Sequence, residues 1–187
     1  MTVPIPVLLG CDVSETKVGI GVVRDDDGRP VRAAVELLDG PESVREVLSA
    51  LTWSLQGYEP VFAYIEEPVR FGADGQVRAG IAVGMLWYAL RRHWSAITVD
   101  LIKPDVWRSR VGIARAPKAL SQHQRRAWYK ARAVDEAEGL GFELPLVGVR
   151  VLRPSDDAAE GALLARAAWV DLEAGRGPRR VNREAVA

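Results

Sequence analysis

The stretch that decides the fold is residues 5–24, which read IPVLLGCDVSETKVGIGVVR. Residues 5–12 form an apolar run rich in Val, Ile and Leu that stops at Asp12, as a buried β-strand does when it ends on a polar side chain. Residues 17–24 alternate partly between apolar and small or polar positions and indicate a second strand. We therefore expect two adjacent strands, with Asp12 at the end of the first.

The next segments predict a hairpin, a helix and another strand. Asp26-Asp27-Gly28 is a tight-turn signal, so residues 31–37 should form a third strand antiparallel to the second. The run Asp25–Asp27 could suggest a metal site, but Asp and Gly are the residues that such turns favour. Pro41 opens a helical pattern that stops near Gly57. Residues 60–66 then form a fourth apolar strand, which again ends on an acid, Glu66.

The second half of the chain is mainly helical. Helices are predicted over residues 76–92, 118–138 and 155–173, with a strand over residues 96–101 between the first two. Ser155 is a suitable N-cap for the last helix. The order predicts one α/β domain over residues 1–173, in which helices flank a sheet and join its later, parallel strands. Residues 174–187 are expected to be a loose basic tail.

Composition limits the class of protein. With 48% hydrophobic and 27% charged residues in 187, the chain is an ordinary globular one, long enough for a buried core. Cys11 is the only cysteine, so a disulfide within the chain or a cysteine-based zinc site is excluded, and a reducing cytoplasm is expected. The apolar run at residues 3–11 is too short to cross a membrane and lacks a basic leader.

Charge is strongly segregated although its formal sum is zero. Between residues 103 and 130 the only acid is Asp105, against eight basic residues: Lys103, Arg108, Arg110, Arg115, Lys118, Arg125, Arg126 and Lys130. Residues 135–173 are mainly acidic, and the tail is basic again. Such blocks predict a basic binding surface beside an acidic pocket.

Three segments place acids at the end of an apolar element. Asp12 and Glu66 each terminate a strand, and Asp157 and Glu160 lie three apart in a helix and so point the same way. Asp156 is a rival to Asp157. Acids that converge without partners repel each other, so a divalent cation is the simplest compensation, and hard oxygen ligands favour Mg²⁺ or Mn²⁺.

Four segments carry the further signal: LGCDVSETKVGIGV from residue 9, YIEE from residue 64, VWRSRVGIARAPK from residue 106 and DAAEGALLA from residue 157. Taken together, they resemble the RuvC-type Holliday junction resolvases, the crossover junction endodeoxyribonucleases of the RNase H-like superfamily. The resemblance covers roughly residues 7–170 in the family's order. Val13-Ser14 replaces the Pro-Gly that commonly follows the first acid, and Glu160 stands where the family usually has Asp.

The resemblance implies a mixed five-stranded sheet flanked by helices and a site with two Mg²⁺ or Mn²⁺ ions held by the four carboxylates. It makes Lys118 a catalytic residue that neutralises charge on the scissile phosphate. Trp107 occupies a place where the family can carry a basic or base-contacting residue, so Lys103 or Arg108 could supply the charge. The implied DNA-binding residues are Arg70, Phe71, Lys103, Arg108, Arg110, Arg115, Lys118, Arg125 and Arg126.

The implied activity is resolution of four-way DNA junctions by a homodimer that makes paired symmetrical nicks and leaves 5′-phosphate ends. Trp107, Trp128 and Tyr129 lie among the basic residues and could stack on bases. The apolar helix 76–92, with Gly80, Gly84, Met85, Trp87 and Leu90, is either the candidate dimer interface or a buried core helix. The excess of Arg over Lys fits a bacterial or phage source, and a branch-migration helicase partner stays unidentified.

Other functions remain open. The same acids fit an RNase H-like nuclease that acts on RNA or flap DNA. A non-catalytic protein that binds branched DNA would be expected to lack some of the acids, and none is lost. A sugar-kinase or actin-like ATPase shares the first strand and Asp, but residues 13–15 do not form its glycine-rich phosphate loop and the chain is too short for its two domains.

Overall fold

The computed structural model describes residues 3–14, 16–38, 41–68 and 73–177, without the side chains of residues 41, 42 and 73–76. Its strands are β1 Ile5–Val13, β2 Lys17–Arg24, β3 Pro30–Leu37, β4 Tyr58–Glu66, β5 Thr98–Ile102, β6 Leu146–Val147 and β7 Arg153–Pro154. Its helices are α1 Pro41–Ser54, α2 Ala73–His93, α3 Pro104–Arg110, α4 Gln122–Gly139 and α5 Asp156–Glu173.

The main sheet has the order β3-β2-β1-β4-β5. Strands β1 to β3 are antiparallel neighbours, and β4 and β5 run parallel to β1, so the predicted mixed five-stranded sheet is confirmed. In this register Asp12 lies opposite Gly19 of β2, and Cys11 lies opposite Ile65 of β4. Asp12 and Glu66 therefore leave the sheet at the same edge, side by side.

Alternate residues of the central strands face opposite sides, which gives the sheet two apolar faces. On one side Val7, Leu9 and Cys11 pack with α1 and α2. On the other side Leu8 and Phe62 pack with α3, α4 and α5. Both faces are covered by helices, as the near-continuous apolar runs of β1 and β4 predict.

Three local features differ from the sequence prediction. Helix α4 begins at Gln122 and not at Lys118, because Ser121 forms a capping box with Gln124 and fixes the start there. Helix α3 and the β6–β7 hairpin were missed because seven residues and two-residue strands are too short for a periodic signal. The tail is docked at its beginning, since Arg176 pairs with Asp171 at 2.7 Å. Residues 178–187 lie outside the described residues.

Two further expectations concern the turn and the membrane. Residues Asp25–Asp27 form the predicted turn between β2 and β3, and Arg24 pairs with Asp26 and Asp27. This pairing accounts for the acidic run without a metal. Within the described ranges no helix has the length and apolar character needed to cross a bilayer.

Helix α5 approaches the sheet more closely than side chains would normally allow. Gly10, Gly19 and Gly21 face its backbone, and a methyl group added at any of them would overlap atoms of α5. On the helix side, Gly161 lies against Gly19, and a methyl group added at Gly161 would lie 2.6 Å from the carbonyl of Gly19. The helix buries small residues along this contact, including Ala158, Ala162 and Ala165. Backbone therefore packs on backbone, and this sets the height of Asp157 and Glu160 above the sheet.

Gly21→Ala should destabilise the fold, because its methyl group would meet backbone atoms of Ala162 that have no flexible end to move aside. We expect the free energy of unfolding to fall by about 1–3 kcal/mol in urea denaturation, the usual cost of overpacking. Gly139→Ala, at the end of α4 where nothing lies within 4 Å, is the matched control and should cost nothing. Equal stability of the two variants would contradict the close packing.

Candidate metal centre and nucleic-acid cleft

Three carboxylates from one strand and one helix meet at one edge of the sheet. Asp12, Asp157 and Glu160 each offer an oxygen atom, and these atoms all lie within 4.8 Å of one another. Asp12 comes from the end of β1, while Asp157 and Glu160 come from the first turns of α5, whose start is fixed by the Ser155 cap on the Ala158 amide at 3.2 Å. The donor set, three carboxylates with at least two of them buried, fits a hard divalent cation such as Mg²⁺ or Mn²⁺.

Asp157 and not its neighbour Asp156 joins this group. Asp157 is buried, whereas Asp156 is half-buried and points to Lys130, whose Nζ lies 2.6 Å from its carboxylate. The sequence left open whether Asp156 or Asp157 lies beside the other acids, and the rotation of α5 about its axis selects Asp157.

Glu66 lines the same cleft but stands outside the group of three. Its Oε2 accepts a 2.5 Å hydrogen bond from Nε1 of Trp107, which is completely buried. A rigid indole donor thus fixes the orientation of the carboxylate. The position of Trp107 also corrects its sequence interpretation as a base-stacking residue, because its ring is not accessible in this structure.

Basic side chains already neutralise part of the acidic cluster. Lys17 and Lys130 both form ion pairs with Asp157, the latter at 3.3 Å, and Arg108 reaches Glu160 at 3.3 Å. Among the described residues, no basic side chain forms an ion pair with Asp12 or Glu66. For Asp157 and Glu160, basic side chains therefore compensate part of the charge for which the sequence suggested a cation, and metal binding by the cluster stays a prediction.

The pKa values follow from this division. Burial, and then the charges of Glu160 and Glu66, raise the pKa of Asp12 well above its ordinary value of 3.8. Burial and the charge of Glu160 raise the pKa of Glu66 to about 7, against the opposing hydrogen bond from Trp107. Burial also raises the pKa of Glu160, although Arg108 and Lys130 oppose it. A cation bound here would remove the cost of holding these groups ionised.

Lys130 is the residue that sequence reasoning missed. Its burial alone would lower its pKa, but the hydrogen bond to Asp156 and the charges of Asp157 and Glu160 outweigh burial and raise it. It therefore stays protonated beside the carboxylates. The sequence did contain a signal for it, because Lys130 follows Arg126 by four residues and therefore lies on the same basic face of α4.

The carboxylates lie at the floor of a cleft of about 650 Å³. Its other walls come from α4, through Gln122, His123, Arg125, Arg126, Tyr129 and Lys130, and from the segment after β4, through Glu67 and Pro68. Arg108, Arg125 and Arg126 are the predicted DNA-binding residues that line it. Arg108 lies over the ring of Tyr129, 4.5 Å from its centroid, and so has both a charged and an aromatic neighbour.

Other predicted residues lie elsewhere. Lys118 is exposed and does not line the cleft; its carbonyl oxygen accepts a 2.6 Å hydrogen bond from Arg125. Arg110 pairs with buried Asp171 at 2.7 Å, and Lys103 and Arg115 are exposed away from the cleft. Arg70 and Phe71 lie outside the described residues. The roles assigned to these six residues stay predictions.

The similarity of this chain to known proteins is a similarity of fold alone. No family model and no curated sequence matches the chain. Among solved structures, RuvC of Thermus thermophilus in complex with a Holliday junction superimposes with a TM-score of 0.65 at 16% identity, covering 91% of this chain and 96% of that one. The chain has the RNase H-like fold of RuvC. A second RuvC structure from Thermus thermophilus gives 0.62 at 15% identity, over 91% and 97% of the two chains.

A structure of the yeast mitochondrial Holliday junction resolvase Ydc2 has 19% identity and covers 94% of this chain and 86% of its own, but its TM-score of 0.44 carries no weight. At such identities the likeness to RuvC establishes the arrangement of strands and helices alone. What the site does must be argued from its own residues.

The raised pKa values predict how the metal effect depends on pH. In the metal-free protein Asp12 and Glu66 have raised pKa values and bind protons more tightly than in the unfolded chain, so their contribution to stability falls as pH rises, for Glu66 from its ordinary pKa towards about 7. Bound Mn²⁺ would replace those protons. The rise in melting temperature on adding Mn²⁺ should therefore be larger at about pH 8 than at about pH 5.

Differential scanning fluorimetry at the two pH values measures this shift. Asp12→Asn should lose most of it, whereas Asp156→Asn, next to the group but outside it, should keep it. An equal Mn²⁺ effect at both pH values, or a full effect in Asp12→Asn, would contradict the metal assignment.

Proposed function

We propose that the protein is a metal-dependent endonuclease that resolves four-way DNA junctions, a Holliday junction resolvase. The observation that carries the proposal is the convergence of Asp12, Asp157 and Glu160 beside a cleft whose other wall is basic. An acidic floor suits a divalent cation, and a basic wall suits the phosphate backbone of a nucleic acid. The RuvC fold, seen in a structure that holds a Holliday junction, supports branched DNA as the substrate.

In the proposed mechanism, Asp12, Asp157 and Glu160 would hold metal, and Glu66, oriented by Trp107, would complete the ligands for a pair of ions. Metal held there would supply a water activated for in-line attack on phosphorus and charge stabilisation for the leaving 3′ oxygen, so that the product would carry a 5′ phosphate. Lys130 and Arg108, which lie beside the carboxylates, would present positive charge to the phosphate. The predicted role of Lys118 on the scissile phosphate would require it to act from the exposed loop before α4, outside the lining of the cleft.

The cleavage prediction uses labelled four-way junctions, linear duplex, flap DNA and an RNA–DNA hybrid in Mg²⁺. We expect paired symmetrical nicks in the junction and little cutting of the others. Asp12→Asn should bind the junction and lose about a thousandfold or more in rate, since an essential ligand is gone. Asp156→Asn is the matched control and should keep most of the rate. Preferential cutting of flap DNA or of the hybrid would favour the RNase H-like alternative.

A second part of the proposal is a homodimer, because a near-symmetrical junction needs two cuts. Leu90 and Met85, which the sequence placed in the interface, pack into the core. The exposed face of α2 instead carries Val77, Ile81 and Tyr88. A methyl group added at Gly80 or Gly84 would meet no atom of the described residues within 4 Å, so a second helix could approach closely there. We assign this face to the partner subunit and the dimer to the cytoplasm.

Ile81→Asp should convert the dimer to a monomer, because it places a charge in the centre of the proposed apolar contact. Light scattering at micromolar concentration measures the mass. Leu37→Asp, on the edge strand β3 and equally open to solvent, is the matched control and should leave the mass unchanged. A wild-type monomer, or an Ile81→Asp dimer, would show that α2 is not the interface.

A further inference from the structure

The β6–β7 hairpin between α4 and α5 exposes an unusual set of apolar side chains. Leu146, Val151 and Leu152 are 61%, 76% and 64% exposed, and Val149 is fully exposed. None of them lines the acidic cleft. Large apolar side chains gathered in one short projecting segment indicate a contact surface.

The hairpin has a defined shape. Val147 pairs with Arg153, and the amide of Ser155 donates to the carbonyl of Pro145 at 2.9 Å, which closes the base. Gly148 has a φ of 130°, and a methyl group there would overlap the carbonyl of Val151. The backbone thus turns tightly and directs the apolar side chains outward.

Its charge and position select the partner. Residues 144–154, LPLVGVRVLRP, contain Arg150 and Arg153 and no acid. The base of the hairpin runs directly into Ser155, and the tip residue Val149 is eight residues before Asp157, so it lies within about 29 Å of that carboxylate, given at most about 3.6 Å per residue. That upper limit corresponds to about eight nucleotides along one DNA strand. A DNA arm that leaves the carboxylates is therefore long enough to reach the tip.

We propose that this hairpin is a second DNA contact, which places Val149, Val151 and Leu152 against the minor-groove face of the DNA arm that leaves the cleft. Arg150 and Arg153 contact its phosphates. A two-stranded ribbon with apolar residues at its tip suits this groove, where such residues press between base steps and bend the duplex. The inference rests on the proposed function, because it requires DNA in the cleft.

Two sets of substitutions test it by junction binding across a range of salt. Val149→Ser with Val151→Ser and Leu152→Ser should weaken binding about tenfold without changing the salt dependence, since only apolar contact is lost. Arg150→Gln with Arg153→Gln should reduce the slope of log affinity against log salt by about two. Leu37→Ser, a similarly exposed leucine on β3, is the matched control and should change neither.

A cross-link locates the contact. Val149→Cys places a thiol at a fully exposed position, and the label attaches there because the natural cysteine, Cys11, is completely buried. With a photoreactive group on that thiol, cross-links should map to DNA within several nucleotides of the nicks. Cross-links to a second protein chain, or a change of mass in the apolar variant, would instead assign the hairpin to protein association and overturn the inference.

The outcomes separate this inference from the proposed function. If DNA binding depends on the hairpin but the protein never cuts DNA, the hairpin contact is supported and the nuclease activity is contradicted. If both sets of variants cut and bind normally, the nuclease activity is supported and the hairpin contact is contradicted. A wild-type protein that binds no DNA would overturn both.

Discussion

The close contact between α5 and the first two strands is the constraint on which the site depends. Strand glycines at positions 10, 19 and 21 and the small residues of α5 let the two backbones meet without intervening side chains. Because packed interiors yield little, the helix has no room to shift along the sheet. Asp157 and Glu160 are therefore held at a fixed distance from Asp12. A bulkier contact would lift them away and open the cluster.

A second constraint is the balance of charge among the carboxylates where α5 meets the edge of the sheet. Four acids in one cleft would repel each other, and the protein offsets the two on α5 with Lys17, Lys130 and Arg108. Asp12 and Glu66 have no such partner among the described residues, and their pKa values are raised accordingly. The cluster is thus only partly neutralised, and it could bind a metal ion.

The fold and the function rest on different observations. The RuvC likeness fixes the order and direction of the strands, and at 16% identity it carries nothing further. The same fold supports unrelated chemistry in other proteins, so activity must be argued from the site. In this protein the proposed activity rests on the acids and on the basic wall of α4.

The sequence by itself determined the five strands of the main sheet, the longer helices and the acids at their ends, because each depends on local periodicity and on which residue types end an apolar run. Asp12 and Glu66 could be paired from this pattern once their strands were taken as neighbours. Only the tertiary structure decided that Asp157 and not Asp156 joins them, that Trp107 is a buried donor to Glu66, and that Lys130 faces the cleft. Those outcomes depend on helix rotation and on contacts between residues 40 or more positions apart or on different helices, which no local pattern records.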